Sequence, residues 1–262
     1  GTSMRALLAV YKREVSVYFR SFIAYAVGFA VIGFIGLLFM GNLSIAVQQQ
    51  ANVQQAGGIR PTDLVRFNLD VFVFLMFLIA PLLTMRLLSE ESREGTLEVL
   101  MTLPMGEWVF VVAKFLAAWT YYTFLLFLTF LHVVLIWAIA PEMNWTFIGV
   151  MYLGAWLYGG AALAITLIWS AITEDQLVAA FLGSATILAL FLSESLAVIV
   201  SEQALFQGAA DFVREIGLSP HFQATMLSGI LRAQDIAYFI LMIILPLFIT
   251  TLIVGTRRWR AS

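Results

Sequence analysis

The sequence predicts an all-α integral membrane protein, and three observations carry the prediction. Of 262 residues, 62% are hydrophobic and 11% charged, with 22 Phe and a mean hydropathy of +0.96, whereas soluble domains carry roughly 25% charged residues. Apolar runs long enough to cross the hydrocarbon layer, about 20 helical residues each, recur six times. Charged residues gather at the joints between those runs. A net charge of -2 gives no electrostatic case for nucleic acid. The absence of cysteine removes disulfides and Cys-zinc or haem-thiolate chemistry.

Taken in order, Gly1-Thr2-Ser3 ahead of Met4 reads as a cloning scar. Residues 4–21 place Leu7, Leu8, Tyr11, Val15, Tyr18 and Phe19 on one broad face, with Arg5, Lys12, Arg13 and Glu14 elsewhere. A helix of that kind lies in the headgroup layer, whereas a flexible basic tail would have no use for the periodicity. Residues 22–262 then form a single six-span domain, with spans near 22–41, 69–88, 108–138, 147–171, 178–200 and 235–256. The third is too long for a perpendicular crossing, so Trp108 to Lys114 is expected in the interface, with Lys114 reaching back to water. The seven Trp cluster near expected interfaces, as bilayer anchoring requires.

Orientation follows from Lys and Arg. With the N-terminus inside, Arg5, Lys12, Arg13, Arg20, Arg86, Arg93, Lys114, Arg257, Arg258 and Arg260 face the cytoplasm, leaving only Arg60, Arg66, Arg214 and Arg232 outside. That distribution satisfies the positive-inside rule and puts both termini in the cytoplasm.

The outer connections are unequal. Residues 42–68 hold Gln48-Gln49-Gln50, Gln54-Gln55, Gly57-Gly58 and Pro61, expected as a partly helical excursion. Residues 141–146 form a tight turn. From 201 to 234, Leu205, Phe206, Ala209, Phe212, Val213 and Ile216 share one helical face, broken at Gly217 to Pro220.

Between spans two and three lies a charged stretch, Leu87 to Pro104, carrying Glu90, Glu91, Glu94 and Glu98 with Arg93. The second span can run on to about Glu94 and stop at Gly95, which tolerates the left-handed backbone that ends helices. Thr96 can cap a new short helix over 97–103, with Glu98 against the positive end of its dipole. Leu97, Leu100 and Met101 share its underside, and Pro104 with Gly106 ends it. The alternative is an ordinary solvated loop.

The run Glu90-Glu91 to Gly95-Thr96-Leu97-Glu98, with Thr102-Leu103-Pro104 and Lys114-Phe115, resembles the first cytoplasmic loop of ABC-2 type permeases. A second patch, Leu218-Ser219-Pro220-His221-Phe222 and Gly229 to Phe239, is similar to the branch containing the permeases GldF and NosY. The chain departs from that branch at Gln223-Ala224-Thr225, where members often carry further His or Phe. The resemblance implies a cytoplasmic coupling helix at 96–103 and an extracytoplasmic helical hairpin before the last span. It also implies half of an ATP-driven transporter in a bacterial cytoplasmic (inner) membrane, expected to export. Two copies, or one copy with a related permease, would carry two ABC ATPase subunits, with a periplasmic or other extracytoplasmic partner as a further candidate. The expected docking residues are Glu90, Glu91, Arg93, Glu94, Gly95, Thr96, Leu97, Glu98, Leu100 and Met101. Glu174 and Asp175, between spans four and five, are a candidate second coupling loop.

ATP and Mg belong on the partner, because the chain has two lysines and neither sits in the Gly-x-x-x-x-Gly-Lys context that grips phosphates. No cofactor is expected on this chain. An intramembrane hydrolase using Ser184 and His132 lacks a recognisable oxyanion hole, and small residues in spans are commonly packing points. His132 and His221, the only histidines, show no ligand spacing for a metal, and His132 is expected to bond a neighbouring helix. Glu194 and Asp70, ionisable residues in or beside spans, are candidate path-lining groups or partners for Arg66, Arg214 or Arg232. From another class comes the reading of a membrane scaffold for an envelope assembly or gliding-type machine, using ATPase motion without transport.

Overall fold

The structure is a computed structural model and describes residues 2–51, 60–96, 106–201 and 207–258. Every regular element among them is helical: α1 Thr2–Tyr18, α2 Phe22–Ala51, α3 Pro61–Phe74, α4 Met76–Arg93, α5 Glu107–Ile139, α6 Trp145–Ile172, α7 Gln176–Phe191, α8 Ser193–Ser201, α9 Gln207–Ile216, α10 Ser219–Phe222 and α11 Ala233–Arg258, with a 3-10 turn Met226–Ser228. Four helices are long and apolar enough to cross a membrane. The total becomes six if α3 with α4, bent by 42°, and α7 with α8, bent by 63°, each count as one span.

The molecule is arranged around α6, whose most apolar 18-residue window is 72% buried, against 28% for α2 and 17% for α11. Its sequence explains this, since Gly154, Gly159 and Gly160 let neighbours approach its backbone. A Cβ on Gly159 would lie 2.0 Å from Tyr122 Cε1, and one on Gly154 would lie 2.7 Å from Met226 Cβ. Tyr122 then donates to the Ala155 carbonyl at 2.5 Å. Small residues at helix contacts and hydroxyls bridging helices replace the hydrophobic drive that is missing in lipid. On the α4 side, Thr84 Oγ1 sits 2.8 Å from Thr166 Oγ1. Ser170 Oγ donates to the Met85 carbonyl and receives the Leu88 and Ser89 amides at 3.1 and 3.2 Å. The end of α4 is thereby stitched to the central helix.

Several boundaries differ from the sequence reading. The first long helix runs to Ala51 because Asn42 and Ser44 donate to the Leu38 and Met40 carbonyls of their own helix, so polar side chains do not end it. Gln54-Gln55 and Gly57-Gly58 lie outside the described residues. The continuous span expected at 178–200 breaks at Leu192, where Ser193 and Gly217 meet so closely that a Cβ on the glycine would lie 1.8 Å from Ser193 Oγ. In α9, Phe212 and Ile216 are exposed and Ala210 is the buried residue, so the apolar face of the pattern points away from the protein. Leu205 and Phe206 lie outside the described residues. Trp119 and Trp156 stack at 4.3 Å and hydrogen-bond between α5 and α6, which makes them helix staples rather than interface anchors.

Candidate functional site

The charged end of α4, the start of α5 and the helix α1 meet around a single lysine. Lys114 Nζ lies 3.0 Å from Glu14 Oε1 and 3.0 Å from Glu91 Oε1, and the three residues are 2%, 6% and 7% exposed. Two expectations are corrected here. Lys114 does not reach back to water, because its ammonium is buried between two carboxylates that would otherwise lack a counter-charge. Glu14 does not belong to a solvated polar face of α1, because its helix packs flat on α5. Tyr11 bonds Thr120 at 2.8 Å, Tyr18 stacks on Tyr121, and Tyr18 donates to the Leu83 carbonyl at 2.5 Å. Burial pushes the Tyr18 phenol far above its ordinary range, with Arg86 beside it opposing, so Tyr18 stays a neutral donor.

Beyond this triad α4 ends as its residues dictate. Arg93 is its last residue, the Glu94 amide donates to the Glu90 carbonyl at 3.0 Å, and Gly95 takes φ +68°. Thr96 Oγ1 donates to the Glu91 carbonyl at 3.3 Å, and Thr96 is itself helical after the turn at Glu94 and Gly95; the rest of the short helix expected over 97–103 lies outside the described residues. Glu90, Arg93 and Glu94 are exposed. Glu91, expected among the docking contacts, is instead turned inward, and its second oxygen, Oε2, is buried without a hydrogen-bond partner. Leu97, Glu98, Leu100 and Met101 lie outside the described residues. A cleft of about 510 Å³ opens beside the triad, bordered by Arg13, Arg86, Glu90, Glu94 and Thr96 as well as its three members.

The other candidates lie apart from this cleft. Glu174 is exposed, and Asp175 caps α7 by accepting the Leu177 and Val178 amides at 2.8 and 3.2 Å. At the opposite end of the molecule Glu194 pairs with Arg214 at 3.2 Å, tying α8 to α9. Asp70 accepts from Gln223 at 2.7 Å rather than from an arginine. A second cleft of about 460 Å³, bordered by Glu194, Ser195, Ser219 and Gln223, lies between them. His132 stacks on Phe39 at 4.6 Å and its Nδ1 has no partner, so the expected bond to a neighbouring helix is replaced by ring packing. His221, which sequence spacing left without a carboxylate, has Asp235 at 2.9 Å, and Asp235 also receives Arg232 at 2.8 Å. Among the described residues no group of three acids or histidines is placed to hold a metal ion.

Sequence reasoning missed Glu14 and Lys114 as a pair. The available signal was a lysine set in the apolar run Val109 to Ala118, since an ionisable group in such a run demands a partner.

A family model described as ABC-2 family transporter protein matches residues 8–256. The chain belongs to that family. It is a multi-pass membrane protein, the permease-type transport component of an ABC transporter, and such permeases work with an ABC ATPase. No curated protein matches the chain.

Proposed function

We propose that this ABC-2 family permease is driven by a separate ATPase that grips the end of α4 and the segment 96–103 on the cytoplasmic face. The supporting observation is the buried Glu14, Lys114 and Glu91 triad, which joins the last turn of α4 to both α1 and α5. Three helices bound through one ammonium move as a unit, so a displacement applied just beyond Thr96 reaches the central helix through the Ser89 and Ser170 bonds. Two such chains, or this one with a related permease, would flank the path, each set over an ATPase carrying ATP and Mg, with both termini inside and transport directed outward. A few kcal/mol of differential ATPase binding suffices to move such a two-state equilibrium. The likeness to the GldF and NosY branch belongs to this reading, as do Leu97, Leu100 and Met101 filling a groove on the ATPase. Glu194 and Asp70 are its candidate path-lining groups at the outer end, and the segment 201–234 is its outer helical hairpin.

The test is co-purification. Glu94→Lys combined with Leu97→Asp should remove most of the ATPase that accompanies the wild-type chain from its native membranes. Undiminished association would overturn the docking role.

A further inference from the structure

Both ring nitrogens of His221 face groups that can only accept a hydrogen bond. Nδ1 lies 2.9 Å from Asp235 Oδ1, and Nε2 lies 3.1 Å from the Glu215 carbonyl. Asp235 is held ionised, because Arg232 donates to both of its oxygens, Nε to Oδ2 at 2.8 Å and Nη2 to Oδ1 at 2.9 Å. An ionised carboxylate and a backbone carbonyl have no hydrogen to give, so each ring nitrogen must supply its own. A neutral imidazole carries one hydrogen and would set a lone pair against one of the two oxygens. Asp235 is 0% exposed and His221 8%, so the mismatch would fall where an unmet polar group is costly. The Tyr238 ring stacks on the imidazole at 3.8 Å, offering the face that attracts a cation, and its hydroxyl donates to the Ile216 carbonyl at 2.7 Å.

We propose that His221 is a proton-operated clasp: the protonated ring fastens α9 and α10 to the first turn of α11, and loss of the proton loosens that junction. The ring belongs to α10, its carbonyl partner to α9 and its carboxylate partner to α11, so a single proton holds three elements together. The other charged groups around α10 are engaged elsewhere. Glu194 of α8 pairs with Arg214, which also meets Asp211, and Asp70 of α3 holds Gln223. The Glu215 side chain is exposed and acts on Arg232, while α6 presents the Tyr158 ring, packed on Phe222. Only the charged ring satisfies both acceptors, so the clasp contributes while His221 is protonated and is lost as pH rises through the titration of the ring. Imidazole is the side chain that changes charge between about pH 5 and 8. The clasp does not depend on where an ATPase docks; in the orientation proposed above it responds to pH outside the cytoplasm.

The experiment uses the full chain in detergent with isotope-labelled histidine. Nitrogen NMR should find hydrogens on both ring nitrogens of His221 at the acid end of the range from about pH 5 to 8, and loss of one toward its upper end. The chain has two histidines, and His132→Asn identifies which signals belong to His221. A ring with one hydrogen throughout, or with two throughout, overturns the proposal. The thermal midpoint of His221→Gln should lie several degrees below that of the wild type at the acid end, with the gap closing as pH rises. A gap that stays constant would mean that the ring acts through packing on Tyr238 alone. Because the chain contains no cysteine, Ala209→Cys with Gln234→Cys places one spin label on α9 and one on α11, both at exposed positions. Their separation should lengthen or broaden toward the upper end of the range. Should His221→Gln fail to fold, the NMR titration and the label pair, which keep the clasp intact, still decide the matter: a separation that pH does not change overturns the proposal.

Discussion

Lys114 is the residue on which the described site turns. Two carboxylates within 3.0 Å of one ammonium, all three residues under 8% exposed, form an arrangement in which removal of the cation leaves uncompensated buried charge. Breaking a buried pair in this way costs about 3–5 kcal/mol, whereas replacing all partners with neutral residues of similar shape is often close to neutral. Lys114→Met alone should therefore lower the thermal midpoint in detergent strongly, and adding Glu14→Gln and Glu91→Gln should recover most of the loss. A triple variant no better than the single one would mean that the lysine acts through packing alone. At the same scale Gly159→Ala brings a Cβ to 2.0 Å from the Tyr122 ring. The overpacking should cost roughly 1–3 kcal/mol, read as a lowered midpoint, because the ring has to leave its bond to Ala155.

Among the elements, the α4 and α6 contact is the route from the charged end to the core, and it is polar. Ser170 serves the Met85 carbonyl and two amides together, so Ser170→Ala should destabilise by about 1–3 kcal/mol, measured as a shift in thermal midpoint, because a buried carbonyl is left without its donor. Combined with Ser89→Ala the losses should be less than additive, since the two hydroxyls share bonds. Elements also show where the sequence could and could not be read. The stop of α4 at Gly95 was legible because one residue type tolerates a φ of +68°. The break at Leu192 was not, because Ser193 and Glu194 look like ordinary polar interruptions of a span. Their meaning comes from Gly217 and Arg214, distant in sequence, which fit against them. The α1 helix was read as amphipathic, and the structure adds that it packs on α5. Periodicity gives the apolar face and not what covers it.

For the whole molecule, hydropathy established a helical membrane protein because composition alone decides that question. The two bent pairs lay beyond it, since a 63° bend depends on packing and leaves the apolar count unchanged. The residues that join α1, α4 and α5 are 100 and 23 positions apart in sequence, and only the fold brings them to one lysine. The central claim is that this charged end faces the compartment that supplies ATP. Because the chain contains no cysteine, Glu94→Cys creates a single, exposed thiol there. A membrane-impermeant maleimide should leave that thiol unlabelled on intact cells and label it once the inner membrane is permeabilised. Labelling on intact cells would put the end of α4 outside, where no ATPase could reach it.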